Sequence, residues 1–217
     1  MPESGRRRST EGLRRLITFC DAVVAIALTL LVLPLVDVVD ELHRNSVTVI
    51  IHDHSNELVG FLISFAVIWE LWRNHHAIME NFASYDGVLF NLHALWILTI
   101  VVLPFATALI SGPDSHWSNV SYMVLLFISI STLSVIGWWG RHHRELLDTG
   151  TEVQWWVDHG LDIGTNVTLA IAIIVAVAFP STGMWPILLM FTAGLINAWV
   201  ARGRRAWRSR HDGTATS

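Results

Sequence analysis

Ala22-Val23-Val24-Ala25-Ile26-Ala27-Leu28-Thr29-Leu30-Leu31-Val32-Leu33-Pro34 is the stretch that decides the fold of this chain. It contains one hydroxyl, Thr29, and no charge. With Arg15-Leu16-Ile17-Thr18-Phe19-Cys20-Asp21 before it, the run reaches the roughly 20 mostly apolar residues that a helix needs to cross a bilayer. Arg15 and Asp21 stand at its mouth. Charges at that depth are costly in hydrocarbon, so they are expected to face protein or water, and they mark a functional region. On a helix the two lie on different faces, which predicts that each reaches a polar group on a neighbouring helix. Ile26, Thr29 and Leu33, at i, i+3 and i+7, share one stripe.

Composition extends this reading to the whole chain. Of 217 residues, 53% are hydrophobic and 15% charged, against about 25% charged in soluble domains. The class implied is an all-α integral membrane protein, and a soluble enzyme is excluded. The single cysteine, Cys20, cannot form an intrachain disulfide, so no oxidising compartment is implied. Eleven tryptophans suit anchoring at the two membrane interfaces and packing between helices. Arg6-Arg7-Arg8 resembles the charged region of a leader, but the apolar run behind it is too long and no small-residue cleavage site follows Pro34. The expectation is a basic tail before a first spanning helix.

Six spans are expected. They cover about Arg15–Val36, Leu58–His76, Gly87–Ile110 (with Pro104 inside), Trp117–Trp139, Ile163–Phe179 and a last one from about Met184 to Ala201. The break between the fifth and sixth is Pro180-Ser181-Thr182-Gly183, a turn signal. All 14 basic residues are arginine. With six spans, every one but Arg44 falls on the side of the tails, while Asp37, Asp40, Glu41, Asp53 and Asp114 fall opposite. The positive-inside rule then places both termini in the cytoplasm. The organisation is a cytoplasmic basic N-terminal tail (1–12), a six-helix transmembrane domain (13–202) and a basic, then polar, cytoplasmic C-terminal tail (203–217).

Histidines cluster at His52-Asp53-His54, His75-His76 and His142-His143. Metal sites favour histidine with carboxylate, but none of these clusters puts two ligands at i, i+4 on a spanning face. They are read as loop histidines in solvent, and no metal site is expected. His75 differs, because it closes the second span near the depth of Arg15 and Asp21. It is either a hydrogen-bonding partner of Asp21 or a plain interfacial histidine. Asn91, Asp162, Asn166 and Asn197 are polar residues at or inside spans, read as glue between helices rather than an ion path. No nucleophile with a base, phosphate-binding loop or pair of carboxylates at membrane depth is present, so no enzymatic activity and no cofactor are expected. Around a symmetry axis, the Ile26–Thr29–Leu33 stripe would form a ring of hydroxyls between two apolar constrictions, which can gate by dewetting. Otherwise it is ordinary packing surface.

The residues Arg15-x-x-x-Phe19-x-Asp21 and the apolar run after them resemble the first-helix signature of the transmembrane protein 175 family, the endolysosomal potassium channels and their bacterial relatives. Trp72-Arg73-Asn74-His75-His76 resembles the family segment that ends the second helix, and Asn91 and Pro104-Phe105 resemble positions in its third. The resemblance covers about residues 12 to 202, one family repeat. It implies a potassium-preferring cation channel in the bacterial inner membrane, built as a homotetramer because one repeat is present. It implies a pore lined by the first helix, with Ile26 and Leu33 as the hydrophobic constriction and Thr29 as the selectivity layer. Arg15, Phe19, Asp21 and His75 would form the network that supports the pore helix. Potassium would be the permeant ion, and membrane lipid and other copies of the chain the partners, with no nucleic acid. Cys20 departs from the family serine. The alternative from another class is a secondary transporter or proton-coupled cation exchanger using Asp21 and His75. Such a protein is expected to show an inverted repeat and broken helices at the midplane, and neither is visible in the sequence.

Overall fold

The computed structural model of the protein describes residues 10–36, 47–110 and 115–150, with the isolated positions Val153, Ile171 and Ile174. The chain divides into two compact units, Met1–Leu161 and Asp162–Ser217, and the first holds every helix named below. Its order is α1 (Thr10–Leu30), α2 (Leu33–Val36), α3 (Val47–Asp53), α4 (Ser55–Met79), α5 (Gly87–Ile110) and α6 (Ser115–His142), followed by a 3₁₀ turn, Arg144–Leu146. Among the described residues there is no strand, only an isolated bridge between Phe82 and Leu147.

Among the described residues, four stretches are long and apolar enough to cross a membrane: Thr10–Val36, Ser55–Met79, Gly87–Ile110 and Trp117–His142. They coincide with the first four expected spans. The third has the expected bounds, and the second and fourth run several residues further. Backbone hydrogen bonding continues into polar turns that a reading by hydropathy leaves out. α1 begins at Thr10, inside the expected N-terminal tail; residues 1–9, the fifth expected span apart from Ile171 and Ile174, the sixth, the C-terminal tail, Arg44 and the acidic residues Asp37, Asp40, Glu41 and Asp114 lie outside the described residues. So do the Asp162, Asn166 and Asn197 readings.

The first span is not one continuous helix. α1 stops at Leu30, and Val32 and Leu35 donate their amides three residues back, to Thr29 and Val32, at 3.3 and 3.0 Å. Pro34 accounts for the break. It has no N–H to give the Leu30 carbonyl, and its ring crowds that carbonyl. The stripe Ile26–Thr29–Leu33 is therefore divided between α1 and α2.

α5 is central and packs against α1, α4 and α6. Its inward face reads Leu89, His93, Trp96, Ile100, Leu103 and Thr107, at helical spacing, while Leu98, Val101 and Phe105 point outward and suit lipid. Asp86 starts α5. One carboxylate oxygen accepts the Leu89 amide at 2.7 Å, an N-cap. The other accepts the Trp139 indole N–H at 3.0 Å, tying the foot of α6 to the start of α5. The α4–α5 connection is sewn to the segment after α6. Ala83 and Ser84 donate to the Leu146 carbonyl, and Asp148 donates to Asn81. The Phe82 ring lies where a side chain on Gly140 would otherwise project. In the core, the hydroxyls of Thr107, Ser64 and Tyr122 form a buried chain, 2.8 and 3.0 Å apart, joining α5, α4 and α6.

Candidate functional site

α1 has two faces. Leu13, Leu16, Cys20, Val24 and Ala27 are buried, spaced by three or four residues so that they form one seam against α4 and α5. The other face is left open by the described helices. Phe19 and Ile26 are each 58% exposed and Leu33 61%, and Arg15 and Thr29 are exposed as well. The hydroxyl of Thr29 donates to the Ile26 carbonyl at 2.7 Å. Its proton is thus committed to the backbone, and its oxygen lone pairs are what it can offer outward.

The expected support network takes a different form. Arg15 does not reach another helix. Its guanidinium lies 3.3 Å from Glu11 of the same helix, and both side chains are exposed. That pairing follows from i, i+4 spacing. Asp21 does reach a neighbour, but the neighbour is Trp72 of α4, whose indole N–H donates to Oδ1 at 2.9 Å. The hydrogen-bonded pair Asp21–His75 is absent, because His75 sits one turn nearly complete beyond Trp72 and faces inward instead. Both its ring nitrogens are buried without a hydrogen-bond partner among the described residues. Phe19 lies on the open face rather than in the seam. Trp72 belongs to the segment that carries the resemblance at the end of the second span, but nothing in the sequence pairs it with Asp21, because the two stand 51 residues apart.

A second group converges behind the seam. Cys20 of α1, His75 of α4 and His93 of α5 are all fully buried. One ligating atom from each lies within 4.8 Å of those from the other two. The His75 ring stacks flat on Trp96, 4.2 Å between centroids at 6°, and meets His93 edge-on at 5.2 Å. His93 Nδ1 pairs with the Leu89 carbonyl at 2.7 Å, and its Nε2 has no partner. A histidine inside the uncharged third span was the available signal in the sequence, and it was not singled out. Of the other histidines, His142 lies tilted against Trp138 and His143 stacks on Trp139, each bonding that tryptophan's carbonyl at the end of α6, while His52 is exposed beside Asp53. Asn91 is exposed on α5, on the side away from the buried face of that helix among the described residues.

Residues 15–104 match the family model described as endosomal/lysosomal potassium channel TMEM175. They comprise the open and buried faces of α1, the Trp72–Asp21 contact and the first part of α5. Over that stretch this chain is similar to the TMEM175 family. A potassium channel of Chamaesiphon minutus is 36% identical over 101 residues, 45% of this chain and 48% of that protein. A potassium channel of Streptomyces collinus is 26% identical over 129 residues, 58% and 62% respectively. The chain thus spans about half to three fifths of the length of the curated relatives it matches. Two solved structures share the fold. The crystal structure of a lysosomal potassium-selective channel TMEM175 homolog from Chamaesiphon minutus gives a TM-score of 0.63 at 22% identity, covering 87% of this chain and 97% of that one. A variant of the potassium channel MtTMEM175, in complex with a nanobody fusion, gives 0.58 at 16% identity, covering 96% and 98%. The TMEM175 description is of a channel and not of an enzyme.

Proposed function

We propose that this chain is a member of the TMEM175 family and one subunit of a homotetrameric, potassium-preferring cation channel in the bacterial inner membrane. In this reading α1 of each subunit lies beside the four-fold axis. Ile26 and Leu33 form apolar constrictions, Thr29 forms the selectivity layer between them, and Arg15, Phe19, Asp21 and His75 support the pore helix. The arginine asymmetry of six spans favours both termini in the cytoplasm.

The observation that carries the reading is the division of α1. Its seam is filled by α4 and α5, yet the face holding Ile26, Thr29 and Leu33 is exposed and covered by none of the described helices. One such face per chain cannot enclose a path, and a closed ring of copies supplies one. Four Thr29 hydroxyls whose protons are bound to Ile26 carbonyls would present oxygen to a cation, replacing part of its hydration. Apolar rings on either side would empty of water when the path narrows. Of the supports, Asp21 has a physical role through Trp72, and His75 contributes through packing on Trp96. The exchanger alternative has no observation in its favour, since Asp21 is engaged by Trp72 and shares no hydrogen bond with His75.

Recording from purified protein in planar bilayers tests the reading. Unitary currents that reverse near the potassium equilibrium potential are expected, from particles whose mass corresponds to four chains. Strictly coupled exchange without unitary currents would overturn the channel, and a conducting monomer or dimer would overturn the four-fold pore.

A further inference from the structure

We propose that Cys20, His75 and His93 form a buried three-ligand site for a thiophilic d10 cation, Zn²⁺ or Cu⁺, which clamps α1 to α4 and α5. The assignment is independent of whether the chain conducts ions.

The donor set is suited to such an ion. One thiolate and two imidazoles are ligands for zinc and for monovalent copper, and they suit neither potassium nor magnesium, which take oxygen. The three ligating atoms already lie within 4.8 Å of one another. Around a bound ion they would be about 3.5 Å apart, from bond lengths of roughly 2.0 to 2.3 Å. The closure required is at most about 1.3 Å between any two of them, the scale of a side-chain adjustment.

His93 is prepared as a ligand. Its Nδ1–H donates to the Leu89 carbonyl at 2.7 Å. That bond fixes the tautomer, leaving a lone pair on Nε2, which is buried with no hydrogen-bond partner among the described residues. Metal-bound histidines are held in this way, the second ring nitrogen donating to a carbonyl or carboxylate. His75 adds two more buried ring nitrogens without partners, and its stacking on Trp96 keeps the ring in place. Three unsatisfied nitrogens in a fully buried pocket are a considerable cost to a fold. Coordination would satisfy two of them. The thiol proton would pass to solvent as the thiolate binds. With Cu⁺ the site is neutral; with Zn²⁺ it holds one positive charge, and Asp21, next to Cys20 in the chain, is on hand to offset it.

The family resemblance places a serine where Cys20 stands, so Cys20→Ser is the natural control. Purified full-length protein would be loaded separately with Zn²⁺ and with Cu⁺ under reducing conditions, desalted, and its metal content measured. The wild type should retain about one ion per chain of one of the two metals, and Cys20→Ser and His93→Gln should retain at least about tenfold less. Which metal is kept identifies the ion. Co²⁺ loading of the wild type supplies a readout that needs no variant, because a sulfur-to-cobalt charge-transfer band reports thiolate ligation directly. Retention of neither metal together with absence of that band would overturn the site. Equal retention by the wild type and a Cys20→Ser protein with the same gel-filtration profile would also overturn it.

Discussion

The indole nitrogen of Trp72 donates to Asp21 across 2.9 Å, joining α4 to the first turns of the candidate pore helix. Only the carboxylate was conspicuous in the sequence, yet the indole is what determines where it points. A hydrogen bond to a charged acceptor contributes about 1.5 to 3 kcal/mol. Trp72→Phe keeps most of the ring and removes the donor, and should lower the thermal stability of the purified protein by roughly that amount. Asp21→Asn should cost less, because its amide oxygen still accepts. In the double variant the two effects should be clearly less than additive. Full additivity would mean that the two residues act separately.

Gly140 faces the ring of Phe82 so closely that a Cβ would collide with it. Gly140→Ala should destabilise by about 1 to 3 kcal/mol, the usual cost of overpacking. Gly87, at the start of α5, has nothing near its missing side chain, so Gly87→Ala should be neutral or slightly stabilising. Melting curves in one detergent would compare them. The contact fails as an explanation if the two alanines behave alike.

Ser64 is the middle of a buried hydroxyl chain with Thr107 and Tyr122. Ser64→Ala strands the Tyr122 hydroxyl in the core, at a cost of about 1 to 3 kcal/mol. Tyr122→Phe removes that hydroxyl and leaves Ser64 paired with Thr107, so it should cost less. Adding Tyr122→Phe to Ser64→Ala should recover stability. A double variant less stable than Ser64→Ala alone would contradict the chain.

Thr29→Val keeps the shape of the proposed selectivity layer and deletes its oxygen. Its reversal potential under opposed potassium and sodium gradients should shift to a potassium preference lower by about threefold or more. Leu33→Ala should widen the proposed constriction and raise basal current. An unmoved reversal potential in the first and unmoved current in the second, at equal protein levels, would place selectivity and gate elsewhere.

The helices were legible because apolar length is a local property. Gly87–Ile110 emerged with its observed bounds, and Pro104 inside it did not break it. Pro34 did break the first span, and hydropathy is silent about that, because the loss is a backbone donor rather than an apolar side chain. The polar contacts were less legible. Arg15 settled for Glu11, one turn away, since an exposed i, i+4 pair forms without any tertiary requirement. The meeting of Cys20, His75 and His93 had no sequence spacing to betray it, because three different helices bring them together.

The joint between the α4–α5 connection and the end of α6 has a mechanical consequence. Ala83 and Ser84 hang on the Leu146 carbonyl, Asp148 returns a bond to Asn81, and Asp86 holds Trp139. The feet of three helices thus make a single abutment with little slack. Whatever pulls on the chain beyond residue 150 loads α4, α5 and α6 together. α4 and α5 are also the helices that pack on the seam of α1, so this joint and that helix share their neighbours.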